Sequence, residues 1–457
     1  MVKYACLSVL FFLSSVAEAA DRRPNVLLIY SDDQGSVDVN CYGATDLITP
    51  HLDGIAERGV RFTQFYSAAP VCSPSRAALL TGRYPQRAGL ATNAGSQPGQ
   101  QGMPTEQITM AEVFHAAGYA TGHVGKWHLG YRPETMPNGQ GFDFSFGHMG
   151  GCIDNFSHFF YWSGPNRHDL WCNGEEVWRE GEFFPDLMVT QAGQFMERHR
   201  DRPFFLYWPI NVPHYPLQAD RKWREAYAGM ESPRADYAAF LSTMDQRIGE
   251  LLATVDQLGL TQETIVVFQS DHGHSTEVRT FGGGGSAGPY RGSKFSLFEG
   301  GIRVPAMISW PGHVPSNEQR DQFSTAVDWL PTLAEFCGVA LPGHLIDGVS
   351  LVEVVGSADA AAAHEEFHWQ SGRGLGGKAQ WAVRSADWKL IGHPLETRQE
   401  QTLAAEADEL FLVDLKRDPG ERHNVARDYP GVVTRLRALH EDWLGNVTNK
   451  STQPLAQ

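Results

Sequence analysis

The chain has 457 residues, of which 42% are hydrophobic and 20% are charged, so it can bury the cores of one large and one smaller domain, and extensive disorder is excluded. Its formal net charge is −16, and a chain this acidic is not expected to bind DNA, RNA or anionic lipid over a broad surface. An anionic ligand would instead need a local cluster of basic side chains.

The first residues are typical of a secretory signal peptide. Lys3 supplies a short positive region, residues 7–13 form an apolar stretch too short to span a bilayer, and Ala17-Glu18-Ala19 has the pattern of a cleavage site. We therefore expect cleavage near Ala19/Ala20, a mature protein without a membrane anchor, and a secreted or periplasmic location. A buried N-terminal helix is the alternative interpretation of this segment.

Short apolar segments predict buried parallel strands, and the longer segments between them predict helices. The predicted strands are residues 26–30, 119–124, 204–208 and 264–268, and the predicted helices are residues 50–59, 110–117, 185–198 and 235–258. This alternation is typical of a large, doubly wound, mostly parallel α/β sheet. In such a sheet, ligands bind at the carboxyl ends of the strands, and most of the candidate site residues follow the predicted strands closely.

The composition changes at the small, alanine-rich residues 356–363. Beyond them, residues 381–391 and 410–415 predict strands, and residues 432–444 predict an amphipathic helix. We expect a signal peptide at residues 1–19, a large domain at 20–355, and a C-terminal α+β subdomain at 356–457 with a small antiparallel sheet. The glycine-rich residues 281–288 lack the strand-then-helix context of a nucleotide-binding loop and predict a mobile loop at the site.

Acidic residues follow two of the predicted strands. Asp32 and Asp33 come after the first strand, and Asp271, with His272 beside it, follows the strand at residues 264–268. Adjacent carboxylates repel each other unless a cation lies between them, and carboxylate oxygens favour Ca²⁺ or Mg²⁺ over zinc. The pattern predicts a divalent cation site, although His272 would be an unusual ligand for Ca²⁺. Helix capping is the alternative role of Asp32 and Asp33.

Cys72 stands at the start of a predicted helix. Pro74 occupies the first turn, where its missing N–H costs little, and Arg76 adds a fixed positive charge. A helix N-terminus offers backbone donors to an anion and stabilises a nucleophile that faces a sulfate or phosphate group. An ordinary buried thiol at the start of a helix is the alternative interpretation.

Removal of the signal peptide would leave an odd number of cysteines: Cys41, Cys72, Cys152, Cys172 and Cys337. In an oxidising compartment at least one of them would then be unpaired or modified. Cys152 and Cys172 flank one aromatic segment and are candidates for a disulfide. We expect Cys72 to be the unpaired or modified residue.

Four further basic side chains lie in short, distinctive segments. Lys126 and His128 stand in Gly125-Lys126-Trp127-His128-Leu129-Gly130, and His214 is held between prolines in Val212-Pro213-His214-Tyr215-Pro216. Lys294 ends Arg291-Gly292-Ser293-Lys294 and precedes Glu299-Gly300-Gly301-Ile302-Arg303-Val304-Pro305. Each alone is more often structural than catalytic. Together with Arg76, they predict an anion site beside the cation site.

These segments resemble the formylglycine-dependent (type I) sulfatases of the alkaline phosphatase superfamily, in particular secreted bacterial glycan sulfatases and arylsulfatase A-like enzymes. The likeness runs from Arg23-Pro24-Asn25-Val26 to the segment that ends at Asn424, and it is most specific in Cys72-Ser73-Pro74-Ser75-Arg76 followed by Leu79-Leu80-Thr81-Gly82-Arg83. The resemblance implies an alkaline phosphatase-like fold and hydrolysis of sulfate esters through a sulfo-enzyme intermediate.

The resemblance also implies a role for each site residue. Cys72 would be oxidised to formylglycine, whose hydrate is the nucleophile. Asp271 would orient or deprotonate the attacking hydroxyl, His128 would take the proton of the second hydroxyl, and Lys126 with Arg76 would hold the diol. The remaining assignments are sulfate binding and protonation of the leaving alcohol by His214 and Lys294, and binding of Ca²⁺ (Mg²⁺ fits less well) by Asp32, Asp33, residue 72, Asp271 and His272. Many relatives have Asn in place of His272, which leaves the exact coordination open.

The expected substrate is a sulfated carbohydrate, because the secretion signal and the aromatic segment favour a glycan: aromatic side chains stack on sugar rings and cations bind neighbouring anionic groups. The segment Glu299-Gly300-Gly301, with its glycine-rich approach to Lys294, resembles sulfatases that act on sugars of the galactose or hexosamine type. The candidate substrate-binding residues beyond Lys126, His214 and Lys294 are His158, Trp162, Arg167, His168 and Arg291, with residues 367–370 as a further wall. A hydrophobic loop over the core is the alternative for the aromatic segment. A formylglycine-generating enzyme is the expected maturation partner. A phosphonate or phosphodiester hydrolase and a non-catalytic sulfated-glycan-binding protein are the alternative functions.

Overall fold

The structure is a computed structural model that describes residues 23–162, 164–372, 378–397 and 409–448. The predicted signal peptide lies outside the described residues. Within them, no helix has both the length and the apolar character needed to cross a bilayer.

A large mixed sheet forms the centre of the N-terminal part of the chain, and short strands and helices surround it. The strands are β1 (Asn25–Ser31), β2 (Gly59–Phe62), β3 (Phe65–Tyr66), β4 (Ala120–Lys126), β5 (Phe144–His148), β6 (Phe159–Phe160), β7 (Arg167–His168), β8 (Trp171–Cys172), β9 (Glu175–Glu176), β10 (Phe204–Pro209), β11 (Thr264–Ser270), β12 (Ala306–Ser309), β13 (Glu318–Arg320), β14 (Ser324–Thr325), β15 (Glu366–Ser371), β16 (Gln380–Ser385), β17 (Trp388–Gly392) and β18 (Leu410–Asp414). The helices are α1 (Pro50–Glu57), α2 (Cys72–Thr81), α3 (Met110–Ala116), α4 (Phe184–His199), α5 (Arg221–Ala226), α6 (Arg234–Gln257), α7 (Glu299–Ile302), α8 (Trp329–Phe336), α9 (Val352–Gly356) and α10 (Pro430–Thr448).

The strand order in the large sheet is β13-β2-β12-β11-β1-β10-β4-β5-β8-β9. The five central strands, from β11 to β5, run parallel, and the antiparallel pairings lie toward the two edges. This is the mostly parallel α/β sheet that the sequence predicts, and the four predicted strands and four predicted helices correspond to β1, β4, β10, β11, α1, α3, α4 and α6.

Both faces of the sheet are covered, because successive side chains of a strand point to opposite faces. In β1, Val26, Leu28 and Tyr30 pack into a core under α2, α3 and α8, whereas Leu27 and Ile29 pack into a second core under α1, α4 and α6. All five side chains are fully buried. A central strand with two buried faces therefore appears in the sequence as a continuous apolar run.

The C-terminal strands form a separate antiparallel sheet in the order β15-β16-β17-β18, against which α10 packs. The prediction of one strand at residues 381–391 is wrong. This segment is a hairpin of β16 and β17, with the turn at Ala386, whose φ is 52°. The apolar pattern runs through both strands because each contributes to the same small core.

Candidate active site

The side chains that follow neighbouring strands meet at one edge of the large sheet. Asp32 and Asp33 follow β1, Asp271 and His272 follow β11, His214 lies five residues after β10, and Lys126 ends β4. These four strands are adjacent and parallel, so their carboxyl ends lie side by side.

Two site residues have left-handed backbone conformations. Asp33 has φ 63° and His128 has φ 56°, a region of backbone conformation that residues other than glycine rarely adopt. Such strain persists only where surrounding contacts enforce it, and it is concentrated at functional sites. Gly151 packs against the His128 ring, since a Cβ at this glycine would lie 2.9 Å from His128 Cε1.

Cys72 is the first residue of α2, a helix whose side chains are all buried. Two serines of the same turn tie this helix to the strand ends. The Ser73 hydroxyl donates to the carbonyl oxygen of His128 at 2.6 Å, and the Ser75 hydroxyl donates to the carbonyl oxygen of Asp271 at 2.6 Å. The N-terminus of α2 is therefore held between the two loops that carry His128 and Asp271.

Four side chains form a compact group of potential metal ligands. One donor atom from each of Asp32, Asp33, Cys72 and His272 lies within 4.8 Å of the others, and all four residues are buried. Cys72 Sγ lies 3.3 Å from His272 Nε2 and 3.9 Å from Asp32 Oδ1. His272 Nδ1 donates to the carbonyl oxygen of Gly273 at 2.9 Å, which leaves Nε2 directed at the group.

Asp271, which the resemblance also implies as a metal ligand, adjoins this group without being one of the four. Its Oδ1 accepts from the Asp33 N–H at 3.1 Å and lies 3.4 Å from His272 Nε2, while its Oδ2 pairs with Arg76 Nη2 at 2.9 Å. Burial raises the pKa of Asp271 to about 7, although the charge of His272 opposes this rise. Arg76 reaches Asp32 as well, at 3.4 Å.

Two lysines neutralise the acidic pair. Lys126 Nζ lies 2.6 Å from Asp32 Oδ2, and Lys294 Nζ lies 2.9 Å from Asp33. Burial alone would raise the pKa of Asp32, but the surrounding cations, Lys126 foremost, together outweigh this effect and hold the pKa well below its ordinary value. Burial would likewise raise the pKa of the Cys72 thiol, and here the charges of Lys126 and Lys294 lower it well below its ordinary value. The atom at this position therefore lies in a strongly positive local field.

Two histidines lie on the opening above Cys72. His128 Nε2 lies 3.4 Å from the Ser96 hydroxyl, and burial lowers the pKa of His128 to about 4. His214 Nδ1 donates to the carbonyl oxygen of Tyr215 at 2.8 Å, and His214 Nε2 lies 3.7 Å from Asp33 Oδ2. Burial also lowers the pKa of His214. Both rings are therefore neutral near pH 7 and able to accept a proton.

A cavity of about 240 Å³ opens above Cys72. It is lined by Cys72, Asn93, Ala94, Ser96, His128, Gly151, Cys152, Phe160, Trp162, His214, Lys294 and Phe295. The structure thus brings Cys72, His128, His214 and Lys294 to one cavity. Lys126, Arg76 and Asp271 lie beneath it, in contact with the acidic residues.

The predicted substrate-binding residues are divided. Trp162 lines the cavity, and Arg167 lies behind that wall, with its guanidinium 4.0 Å from the centre of the Phe160 ring. The other three are engaged elsewhere. His158 faces the carbonyl oxygen of Glu182 at 3.1 Å, and His168 pairs with Glu176 and stacks on Trp178. Arg291 pairs with Glu396 at 2.6 Å.

Two further expectations fail for clear reasons. Cys152 and Cys172 are both free thiols, because Cys152 lines the cavity whereas Cys172 lies in β8, between β5 and the edge strand β9. Residues 367–370 do not line the cavity either. They lie in β15, where Phe367 and Trp369 are buried in the core between the large sheet domain and the small C-terminal sheet.

The Glu299-Gly300-Gly301 segment supports the site from below. The Gly273 N–H donates to the carbonyl oxygen of Gly301 at 3.0 Å, and a Cβ at Gly301 would lie 2.1 Å from the carbonyl oxygen of Ser296. The segment therefore packs between the loop after β11 and the loop that carries Lys294. Glycine is required here because two backbones approach each other too closely for a side chain.

Sequence reasoning missed several residues of the site. Ser73 and Ser75 lie inside the Cys72–Arg76 motif, and their hydrogen bonds, rather than any composition signal, show their positioning role. Asn93 accepts from the Ser73 N–H at 3.0 Å, and Ser96 faces His128; both come from a polar loop with no pattern of its own. Phe295 also lines the cavity, and its place directly after Lys294 is the signal that could have identified it from the sequence.

Comparison with known proteins agrees with this geometry. Residues 24–339 match the Sulfatase family, and residues 292–442 match the family described as N-sulphoglucosamine sulphohydrolase, C-terminal. Arylsulfatase A of Homo sapiens is 33% identical, over 92% of this chain and 88% of that protein. N-acetylgalactosamine-6-sulfatase of Canis lupus familiaris is 36% identical, over 74% of this chain and 66% of that protein.

The fold is also shared with solved structures. The crystal structure of Ps i-CgsB, which has also been determined in complex with k-i-k-neocarrahexaose, superposes with a TM-score of 0.82 at 29% identity, over 92% of this chain and 93% of that chain. The match to the Sulfatase family covers more than half of the chain and includes every residue that lines the cavity. The chain therefore belongs to the sulfatase family of the alkaline phosphatase superfamily, and it is a sulfuric ester hydrolase.

Proposed function

We propose that this protein removes sulfate from a sulfated carbohydrate, and that residue 72 works as formylglycine rather than as cysteine. The observation that carries the proposal is the position of Cys72. It begins a buried helix, lies in a positive local field, and opens onto a cavity lined by His128, His214 and Lys294. Here Cys72 Sγ stands in for the hydroxyls of a hydrated aldehyde, which would supply the nucleophile once the residue is modified.

The buried polar residues beneath residue 72 prepare a hydroxyl at this position for attack. Asp271, with a pKa raised to about 7 by burial, is the group that we assign to take the proton of the attacking hydroxyl. Arg76 holds the Asp271 carboxylate at 2.9 Å and keeps it oriented. Lys126 stabilises negative charge that develops at residue 72, as its effect on the pKa of the thiol indicates.

We assign His128 to the second proton transfer. Because burial lowers the pKa of His128 to about 4, the ring is neutral near pH 7 and accepts a proton from the second hydroxyl when sulfate leaves. The strained backbone at His128 and the hydrogen bond from Ser73 to its carbonyl oxygen fix the ring against Gly151.

Lys294 and His214 act on the substrate side of the cavity. Burial would lower the pKa of Lys294, but Asp33 and the other acidic groups nearby together raise it. Lys294 therefore remains charged and donates hydrogen bonds to sulfate oxygens. His214 donates through Nδ1 to Tyr215, so in the neutral ring Nε2 carries the lone pair that faces Asp33. In the proposed step, His214 Nε2 takes up a proton from solvent and delivers it to the oxygen of the departing alcohol as the bond between that oxygen and sulfur breaks.

The four-residue acidic group fits a divalent cation. The donors are buried carboxylate oxygens of Asp32 and Asp33, together with residue 72 and His272 Nε2, and Asp33 Oδ1 also lies 2.9 Å from Lys294 Nζ. We propose Ca²⁺, with Mg²⁺ less suited because it demands stricter octahedral geometry. A bound divalent cation would leave the site with net positive charge and so favour an anionic sulfate ester. Burial would lower the pKa of His272, but Asp271, Cys72 and Asp33 together raise it to about 9, so ligation by His272 would release a proton.

The carbohydrate substrate, the maturation partner and the location belong to the same proposal. The relatives named above include an N-acetylgalactosamine-6-sulfatase and a protein solved in complex with k-i-k-neocarrahexaose. These names support a sulfated glycan of the galactose or hexosamine type. A formylglycine-generating enzyme would modify Cys72, and the predicted signal peptide would direct the protein to the periplasm or the exterior.

Sulfate release from 4-nitrophenyl sulfate and from a panel of defined sulfated saccharides tests the proposal. The protein is produced with and without a formylglycine-generating enzyme, and intact mass reports conversion at residue 72. We expect activity to follow the converted fraction and to disappear in Cys72→Ala. Equal activity in Cys72→Ala, or a preference for phenyl phosphonate over every sulfate ester, would overturn the assignment.

A further inference from the structure

A second cleft, of about 770 Å³, adjoins the catalytic cavity. We call it the outer cleft, and its walls include Tyr161, Trp162, Tyr215, Asp236, Arg279 and Phe281. Trp162 lines both the outer cleft and the catalytic cavity, and Tyr215 directly follows the catalytic-cavity residue His214. Trp162 is therefore a wall that the outer cleft and the catalytic cavity share.

The walls of the outer cleft present exposed aromatic surface. Trp162 stacks on Tyr215 with ring centroids 5.6 Å apart, and 37% of Trp162 is exposed. Phe281 is 86% exposed and Val278, three residues before it, is 74% exposed. Large apolar side chains exposed together beside a cleft are typical of a binding surface. Flat aromatic rings in particular suit the apolar faces of sugar rings.

Polar groups limit the kind of ligand that fits. The guanidinium of Arg279 lies over Trp162, with Cζ 2.9 Å from the ring centroid, and pairs with Glu277 at 2.8 Å. On another wall, the Ser232 hydroxyl donates to Asp236 at 2.6 Å. A cation beside aromatic rings favours an anionic group, whereas a carboxylate and a hydroxyl favour hydroxyl groups of the ligand. A purely apolar ligand would remove these charged groups from water without giving them new hydrogen bonds.

Glu277 links the two spaces electrostatically. Its carboxylate lies 3.8 Å from Lys294 Nζ, on the catalytic side, and 2.8 Å from Arg279 Nη2, on the outer side. The Glu277 carboxylate thus lies between two cations, Lys294 on the catalytic side and Arg279 on the outer side. This arrangement suits a ligand that carries one anionic group in each space, since the protein as a whole is strongly acidic and repels anions elsewhere.

We propose that the outer cleft binds the sugar residue next to the one whose sulfate is removed, and that Arg279 binds a sulfate or carboxylate group on that neighbouring sugar. This inference rests on the proposed function and narrows its substrate class. The preferred substrates are oligosaccharides or polysaccharides with anionic groups on adjacent sugars, rather than monosaccharide sulfates or aryl sulfates.

The test compares Arg279→Ala and Phe281→Ala with the wild type on two kinds of substrate. The small substrate is 4-nitrophenyl sulfate, and the large ones are chondroitin sulfate and carrageenan oligosaccharides of two to six sugars, each beside its sulfated monosaccharide. Arg221→Ala is the matched control, because Arg221 is also an exposed arginine paired with a glutamate, at 2.7 Å, but lies on α5.

We expect all variants to hydrolyse 4-nitrophenyl sulfate within about twofold of the wild type. On the best oligosaccharide, Arg279→Ala should lower kcat/KM about tenfold or more, as expected for the loss of a charge-assisted hydrogen bond, and Arg221→Ala should not. Desulfated neighbouring sugars should remove the difference between Arg279→Ala and wild type. Two results would overturn the inference. One is a wild-type kcat/KM that does not rise with the length of the oligosaccharide, and the other is a kcat/KM of Arg279→Ala equal to that of the wild type on every oligosaccharide.

Binding of the same oligosaccharides to Cys72→Ala protein, measured by calorimetry, separates the two proposals. Tight binding that depends on Arg279, without any sulfate release by the converted wild type, would refute the proposed function but support the outer cleft as a binding site for oligosaccharides. Sulfate release from 4-nitrophenyl sulfate with no Arg279-dependent binding would support the proposed function and refute the outer cleft as a binding site for oligosaccharides.

Discussion

Replacing Lys389 by methionine should destabilise the protein more than any surface charge change. Lys389 Nζ lies 2.9 Å from Glu299 and 2.9 Å from Glu421, and all three side chains are fully buried where the C-terminal sheet meets the large domain. After the change, Glu299 keeps Arg303 at 3.1 Å and the Tyr66 hydroxyl at 2.6 Å. Glu421 keeps the backbone N–H of Glu299 but loses its cation.

The magnitude follows from the uncompensated charge. Breaking a buried ion pair by removing one partner costs about 3–5 kcal/mol, whereas an exposed pair contributes about 1 kcal/mol or less. Lys378→Met is the matched control, because Lys378 pairs with Glu409 at 3.0 Å on the exposed surface of the same subdomain. We therefore expect Lys389→Met to lower the free energy of unfolding by about 3–5 kcal/mol near pH 8 and Lys378→Met by under about 1 kcal/mol.

The loss of stability in Lys389→Met should be larger at high pH than at low pH. Burial raises the pKa of Glu421 to about 7 even with Lys389 nearby, and without the lysine it should rise further. A carboxyl group whose folded pKa lies above its unfolded value stabilises the fold at low pH, and this contribution disappears as pH rises through the folded pKa. Lys389→Met should therefore lose less stability at pH 5.5 than at pH 8.

Urea unfolding followed by tryptophan fluorescence and circular dichroism, at both pH values, measures these differences. The double variant Lys389→Met/Glu421→Gln should recover a large part of the loss at pH 8, because the unpaired carboxylate is gone. An unfolding midpoint of Lys389→Met equal to that of the wild type, or a loss that does not change with pH, would refute the description of this cluster as a buried charge network.

Three further predictions address the site and the fold. Lys294→Met should lower kcat on 4-nitrophenyl sulfate about 10²- to 10³-fold while circular dichroism stays unchanged, and a loss under tenfold would contradict its role in sulfate binding. Burial raises the pKa of Asp245 to about 7, so the folded protein should become more stable as the pH falls. Between pH 8 and pH 5, the free energy of unfolding of the wild type should rise by roughly 2–3 kcal/mol relative to that of Asp245→Asn. A difference between the two proteins that stays the same at both pH values in urea unfolding would contradict this. Gly301→Ala should abolish soluble, active protein because its Cβ would meet Ser296, whereas Gly445→Ala, which has open space on α10, should be tolerated; equal yields would refute the packing argument.

Much of the site was predictable because the residues that carry it follow buried strands in short, specific motifs. The apolar run of β1 predicted a central strand, and the acidic pair after it predicted its position at the sheet edge. The Cys72–Arg76 motif predicted a helix start, which α2 confirms. Parallel strands place their carboxyl ends together, so these local features were enough to predict that the residues converge.

The aromatic segment at residues 152–178 shows where this reasoning stops. His158, Trp162 and His168 are equally plausible contacts for a sugar by composition, but only Trp162 lines the cavity. The two histidines face Glu182 and Glu176 within their own loop. Which way a loop side chain points depends on contacts with distant segments, and no periodic pattern in a loop records it.

The sequence alone was sufficient for the sheet class and for the convergence of Cys72, His128, His214 and Lys294 at one edge of the sheet, because residue type and spacing along strands and helices are local properties. The chemistry of residue 72 and the role of each catalytic group stay predictions that the family resemblance implies. Only the tertiary structure decided which carboxylate each cation neutralises, that Ser73 and Ser75 hold the nucleophile helix between two loops, and that Arg279 and Phe281 join Trp162 in an outer cleft. The physical reason is that these contacts join residues far apart in the chain, and their partners are chosen by packing and charge compensation in the folded protein.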